Sequence, residues 1–458
     1  MIADTYKRFR SLGRNARLYL LSNTMQAASA GALGVLYTLY LSALGYQPSF
    51  IGALVVLGTI GGALGIIPAN PLVGRFGWRT MLLWSDMIGG FSVALQLLFP
   101  TPPVMILTTI GIGASVAIIF VINTPLLTAY STPHERTALF GLNNALNILA
   151  TIGGSLLGGF LPQWFEQASV RSSTLLVTLS PLLVPDQHQA RAYQLSLLVT
   201  GILAVPAFIP VLLMRDERHA PLPSSDGDEG MNPATGAVPS PDATFTENPA
   251  AATEPSQLLP WRKWLIAQWP TVRTTATGII GRFSLTQALN GFGAGLWFPY
   301  VSLYFVNYLH TTSAYFGALS AALSLVAALA SLLAAPLADR YGKVRTSVVV
   351  QFCSLPCLLA IGGIPLVGIA SAAYLLRGFF QTITGPPLQT FLMESVPEEK
   401  RVVASSVYNV AFQVAWALGA GLGGVIASVS LRLPFMAAAP FYFISALLMI
   451  AWFARKHR

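Results

Sequence analysis

The sequence predicts an all-α membrane protein: twelve transmembrane helices in two pseudo-symmetric six-helix halves, with both termini on the cytoplasmic side. Three observations carry this. The chain is 54% hydrophobic and only 9% charged, with a mean hydropathy of +0.63, whereas roughly one-quarter of a soluble domain is charged. Its apolar residues gather in runs long enough to cross a bilayer, which takes about 20 residues of helix. The chain also repeats itself at a spacing of about 265 residues. Pro71-Leu72 recurs as Pro336-Leu337, Gly52 as Gly317, Arg75 as Arg340, Gly77 as Gly342, Arg136 as Arg401 and Asn144 as Asn409. One residue out of step, Gly31 answers to Gly295 and Tyr40 to Tyr304.

Hydropathy places the first six spans near 18–43, 50–74, 80–99, 103–129, 138–161 and 193–214. The second six fall near 281–308, 313–338, 346–366, 368–394, 402–428 and 433–454. The first span follows a basic start but is too long for the apolar core of a cleavable signal, so it is a retained helix. With both termini inside, 22 of the 26 basic residues fall on the cytoplasmic side, as the positive-inside rule requires. Arg171, Arg191 and Arg432 fall outside, and Arg377 lies within a span. Because the basic residues sit in short clusters between apolar runs, the net charge of +9 does not point to nucleic acid.

Residues 1–219 form the first half, 220–260 a linker, and 261–458 an interfacial helix plus the second half. The linker is rich in Pro, Ala, Ser, Asp and Glu with almost no large apolar residues, the composition of a disordered cytoplasmic segment. Beyond it, Trp261, Trp264, Leu265, Ile266 and Trp269 alternate with Arg262, Lys263 and Arg273, a pattern for an amphipathic helix on the inner membrane surface. The longest outside segment is the loop 162–192.

No enzyme signature emerges. His134, His188, His219, His310 and His457 lie in loops or at ends, without paired spacing for zinc. No Gly-rich phosphate loop ending in Lys-Ser/Thr is present, so direct ATP drive is not expected, nor is any cofactor or metal. Cys353 and Cys357 share one helix face, where a disulfide would strain the helix and a metal would want more ligands.

The connections after spans 2 and 8 carry the sharpest motif: Ala335-Pro336-Leu337-Ala338-Asp339-Arg340-Tyr341-Gly342-Lys343-Val344-Arg345. Its first-half copy, Asn70-Pro71-Leu72-Val73-Gly74-Arg75-Phe76-Gly77-Trp78-Arg79, has Gly74 where the second has Asp339. Pro336 is expected to end or bend a helix, Gly342 to permit a tight turn, and Asp339 to cap the next helix or pair with an Arg. The second copy resembles the loop signature of the major facilitator superfamily, Gly-x-Leu-Ala-Asp-Arg-x-Gly-Arg-(Lys/Arg), with Ala335 in the first Gly position. The resemblance extends over the whole chain except the linker. It implies a secondary transporter working by alternating access. Arg75, Gly77, Arg79, Asp339, Arg340, Gly342 and Arg345 would then be gate residues, with Arg136 and Arg401 after spans 4 and 10.

The resemblance also implies that spans 1, 4, 7 and 10 face a central cavity, flanked by 2, 5, 8 and 11. Polar residues fall on that set. Asn23, Gln26 and Tyr37 lie within about 60° of one another on span 1. Asn123 marks span 4, and Asn143 and Asn147 mark span 5. Asn290, Trp297 and Tyr304 share an arc of about 40° on span 7, with Gln287 nearby. Arg377, Gln381 and Thr384 form a stripe on span 10, as do Asn409, Gln413 and Trp416 on span 11. Polar side chains avoid lipid, so each stripe is expected to face protein or water, and interhelical hydrogen bonding competes with substrate binding as the reason.

Two charges stand apart. Arg377 replaces the small residue, Ser115, found at the matching place on span 4; it could hold an anionic substrate, or bond a carbonyl structurally. Asp86, on span 3, is the acidic residue well inside a span and the candidate for proton coupling. Its place on a peripheral span favours support of the 2–3 loop through Arg75 or Arg79, with pH-driven transport surviving Asp86→Asn. Gly153, Gly154, Gly158 and Gly159 match Gly419, Gly421, Gly423 and Gly424, small residues that allow close helix approach.

The expected function is secondary active transport of a small organic solute across a bacterial-type inner membrane by a monomer. Efflux of an amphipathic compound or sugar leads. Uptake of a small organic anion, and a non-transporting receptor or scaffold on the same fold, are the alternatives.

Overall fold

The computed structural model describes residues 13–129, 136–167, 183–185, 189–214 and 278–454. The linker 220–260, the amphipathic segment after it and most of the 162–192 loop lie outside the described residues.

The first group of helices is α1 (Arg14–Ala43), α2 (Pro48–Phe76), α3 (Trp78–Leu98), α4 (Pro102–Ala129), α5 (Arg136–Glu166) and α6 (Ala190–Ala204). Pro206 denies α6 a backbone donor, and the chain turns through Val205–Ala207 into a short helix, Phe208–Leu213. The second group is α7 (Ile279–Trp297), α8 (Ser313–Tyr341), α9 (Lys343–Gly363), α10 (Val367–Ser395), α11 (Arg401–Val429) and α12 (Leu433–Met449). Pro299 similarly interrupts the continuation of α7 at Phe298–Tyr300.

Among the described residues, eight helices are long and apolar enough to cross a membrane: α2, α3, α4, α5, α8, α9, α11 and α12. The protein is therefore an all-α, multi-pass integral membrane protein. Of the other four, α6 is cut short after 15 residues, while α1, α7 and α10 carry amides or the buried arginine.

Turns at one end follow the motif. Gly77 (φ +82°) and Gly342 (φ +88°) each close one helix and open the next, a backbone that a side chain disfavours. Pro336 sits inside α8, which runs on to Tyr341; of the two roles expected of it, ending the helix falls to Gly342 instead.

Close approach is built from glycine. In the first group α5 lies on α1, with Gly154 against the Ala28 backbone and Gly158 2.8 Å, as a methyl would measure it, from Ala32 Cα. In the second group α11 lies on α7, with Gly419 against the Phe292 backbone and Gly423 against Leu296. The last glycine of each run reaches the other group. A methyl on Gly159 would lie 2.8 Å from Gly317 Cα on α8, and one on Gly424 would lie 2.5 Å from Pro48 O on α2.

Among the described residues, the hydrogen bonds between the groups gather toward one end. Thr38 meets Ser302, Asn307 donates to Ser42 Oγ at 2.9 Å, Ser49 N donates to Ser428 Oγ at 3.1 Å, and Ser313 donates to Gly159 O at 3.0 Å. All lie toward the end carrying the α1–α2 and α7–α8 connections. There the largest apolar cluster runs through both groups, joining Leu36, Leu39 and Ile51 to Tyr300, Phe305 and Phe316. At the Gly77 and Gly342 end the apolar cores separate, one around Leu82, Ile122 and Leu139, the other around Phe283, Val348 and Phe391.

This packing separates two neighbouring glycines. Gly154→Ala should destabilise by about 1–3 kcal/mol through overpacking. Gly153, with nothing within 4 Å, should gain about 0.5–1 kcal/mol as Ala from helix propensity. Thermal unfolding of the two variants in detergent checks the opposite signs.

Candidate functional site

In the first group the polar residues of α1 are tied to its neighbours. Tyr19 donates to Asn123 Oδ1 on α4 at 2.7 Å, and Asn23 donates to Asn143 Oδ1 on α5 at 2.8 Å. Asn147 donates to the Asn143 carbonyl at 2.8 Å. Tyr37 lies near Gln96 and Thr109, which bond to each other, Gln96 Nε2 donating to Thr109 Oγ1 at 3.0 Å. Gln26 donates to Asp86 Oδ1 at 3.2 Å and to Ser22 Oγ at 3.3 Å. Asp86 thus meets α1 rather than Arg75 or Arg79. Arg79 turns instead to the end of the Phe208–Leu213 helix, donating to Leu212 O at 2.6 Å, where a cation complements free carbonyls. The second carboxylate oxygen of Asp86, Oδ2, is buried without a partner.

In the second group a matching arrangement joins α7, α9 and α12. Gln351 donates to Asn290 Oδ1 at 2.8 Å and to the Tyr442 carbonyl at 2.9 Å. Tyr304 donates to Ile361 O. Arg377 is 1% exposed. Its Nη1 donates to Ser354 O at 3.3 Å and Oγ at 3.2 Å, and its guanidinium lies 4.4 Å from the Tyr442 ring and 5.1 Å from that of Trp297. Arg377 thus meets Trp297 and Tyr442 inside the second group, while Asn290 and Tyr304 are bonded to α9 at other depths.

A second set is left accessible. Gln381, Asn409 and Gln413 are exposed and Gln287 is half-buried. Asn409 donates only to Ser405 O within its own helix, at 2.9 Å. On α11, where Gln413 follows Phe412, Trp416 packs on Phe298 at 5.6 Å and on Phe412 at 6.2 Å between centroids. At the joined end, an open cavity of about 650 Å³ is lined by Ser42, Tyr193, Asn307, His310 and Thr311, among others.

The motif charges sit at the other end and face outward. Arg75 and Arg340 lie over the rings of their neighbours Phe76 and Tyr341. Asp339 and Arg345 are exposed, and Arg401 donates to Met393 O at 2.9 Å. The ion pair described there is Lys343–Glu394, which ties α9 to α10 within one group, and Asp339 takes no part in it. Arg136 begins α5.

The sequence model of the Major Facilitator Superfamily matches residues 19–287 and 283–458. The chain belongs to that superfamily. It is accordingly a non-catalytic carrier of a small solute working by alternating access. No curated protein matches the chain. Among solved structures, a bacterial homolog of the human lysosomal transporter Spinster, inward-facing and occupied, superposes with a TM-score of 0.68 at 14% identity, covering 95% of each chain. The nucleoside transporter NupG gives 0.66 at 13%, over 97% of this chain and 100% of that one. A D-xylose-proton symporter gives 0.61 at 14%, over 96% of each. At such identities the likeness is one of fold.

Sequence reasoning passed over Gln351, Ser354 and Tyr442, because spans 9 and 12 are peripheral in superfamily members. A lone glutamine in the run Val348-Val349-Val350-Gln351-Phe352 was the available signal. Gln351→Leu should cost about 1–3 kcal/mol by stripping two buried acceptors of their donor. Gln413→Ala, with no such bond to lose, should leave the unfolding midpoint unchanged; detergent melts of both test the division.

Proposed function

We propose that the chain has twelve spans in two pseudo-symmetric halves and exports a neutral amphipathic compound or sugar through a cavity between them. The observation that carries this is the accessible set Gln287, Gln381, Asn409 and Gln413, flanked by Phe298, Phe412 and Trp416. Amides offer donors and acceptors to hydroxyl or amide groups, rings offer apolar faces, and none of these side chains is charged. Export is assigned on the aromatic character of the face.

The packing supports two halves. Helix α5 pairs with α1 as α11 pairs with α7, and α5 meets α8 as α11 meets α2. The Gln26–Asp86 contact of the first half falls, at the repeat spacing, on Asn290–Gln351 of the second. The basic-residue count supports placing the Gly77 and Gly342 end in the cytoplasm, so the separated cores there describe an inward-open state.

Asp86 is assigned the coupled proton. Its contact with Gln26 ties the acid to α1, and its free oxygen can accept a proton without breaking that bond. The equivalent place in the second half is filled by Gln351, so Asp86→Gln is compatible with the packing.

Flux in proteoliposomes over a panel of neutral, anionic and cationic compounds, with and without a pH gradient, tests both assignments. A neutral compound should be carried, with Gln413→Ala and Gln381→Ala raising its apparent constant by roughly 5- to 10-fold, the loss of one hydrogen bond each. Asp86→Gln should keep downhill exchange and lose gradient-driven accumulation. Carriage of anions alone would overturn the cavity assignment, and undiminished accumulation in Asp86→Gln the coupling assignment.

A further inference from the structure

We propose that Arg377 and Trp297 form a buried site for a small monovalent anionic group, a halide or a carboxylate, inside the second half and apart from the cavity face. Three N–H donors there have no partner: Arg377 Nε, Arg377 Nη2 and Trp297 Nε1. They are enclosed, Arg377 at 1% and Trp297 at 6% exposure, and the guanidinium carbon is 5.1 Å from the indole ring.

What surrounds the arginine is neutral. Ser354 supplies two oxygens to Nη1, Tyr442 and Trp297 supply ring faces, and Cys357 is nearby. The described acids of this half, Asp339, Glu394 and Glu398, lie toward the Gly342 end. Glu394 is 17 residues further along α10, about 25 Å of helix. A guanidinium keeps its charge, and an uncompensated charge at this depth is costly. Ring faces attract a cation without neutralising it. An anion meeting the free donors supplies the missing countercharge, and the enclosure keeps it small.

The first half shows what the slot looks like without the charge. Ser115 occupies the place of Arg377 and lies beside Gly89, the repeat partner of Ser354. Ser115 and Ser85 satisfy each other, Oγ to carbonyl, at 2.8 and 2.7 Å. A serine therefore packs there with its bonds made, whereas the arginine leaves donors open. Arg377→Ser is the substitution the fold itself supplies.

The full chain, purified in detergent, would be melted while sodium chloride or sodium acetate replaces a bulky sulfonate salt at constant ionic strength. Saturable rise of the midpoint with either anion is expected. Chloride saturation identifies a halide site, and saturation by acetate alone identifies a carboxylate one. Arg377→Ser should raise the half-saturating concentration about tenfold or more, and Trp297→Phe, which keeps a ring and removes the N–H, about fivefold. Gln413→Ala should leave saturation unchanged, which separates this site from the cavity assignment. No saturable rise with either anion, or equal saturation in wild type and Arg377→Ser, overturns the proposal. Should Arg377→Ser not fold, an unchanged Trp297→Phe overturns it.

Discussion

Backbone contact along α5 and α11 is the constraint on which the rest of this structure depends. Within a bilayer no hydrophobic force draws apolar helices together, so association relies on close packing and hydrogen bonds. Gly154 and Gly158 seat α5 on α1, and Gly419 and Gly423 seat α11 on α7. One residue beyond each pair, Gly159 and Gly424 bring the same two helices against the opposite group. Each of these helices thus serves as a joint within its own group and as a contact surface toward the other. The inner joints are close backbone contacts, while the hydrogen bonds between groups, among the described residues, gather toward one end.

That packing decides which polar residues are spoken for. Where helices touch, amides bond across the gap: Asn23 to Asn143, Gln26 to Asp86, Gln351 to Asn290. Gln381, Asn409 and Gln413 are instead exposed, and Asn409 bonds only within its own helix. Of the two reasons for a polar stripe weighed from the sequence, interhelical bonding is the one realised in Asn23, Gln26 and Gln351. Satisfied amides fix helix register.

Much of the fold was legible because a repeat is a statement about architecture. Two residues matched at 265 must be served by similar surroundings, and the glycines of α5 and α11 are. The turns were legible too, since Gly77 and Gly342 hold positive φ values that few other residues accept. Partners across helices were not. Angular position on a helix gives the face but not the depth at which a neighbour's side chain arrives, so Asp86 was matched with loop arginines when Gln26 stood opposite. Pro336 left ending and bending both open, since an interior proline loses a hydrogen bond and strains the turn before it; α8 runs on past it to Tyr341.

The places where the repeat fails then become the informative ones. Slots that pack equivalently hold Asp86 against Gln351 and Ser115 against Arg377. In each pair the neutral member has its hydrogen bonds made: Gln351 reaches Asn290 and Tyr442, and Ser115 reaches Ser85. The charged member in each retains an unpartnered buried atom. Packing alone accepts the neutral side chain at both slots, so packing does not account for either charge. One acidic slot in the first group and one basic slot in the second are thus each left with a buried polar atom unpartnered. The proton proposed for Asp86 and the anion proposed for Arg377 would each answer such an open atom.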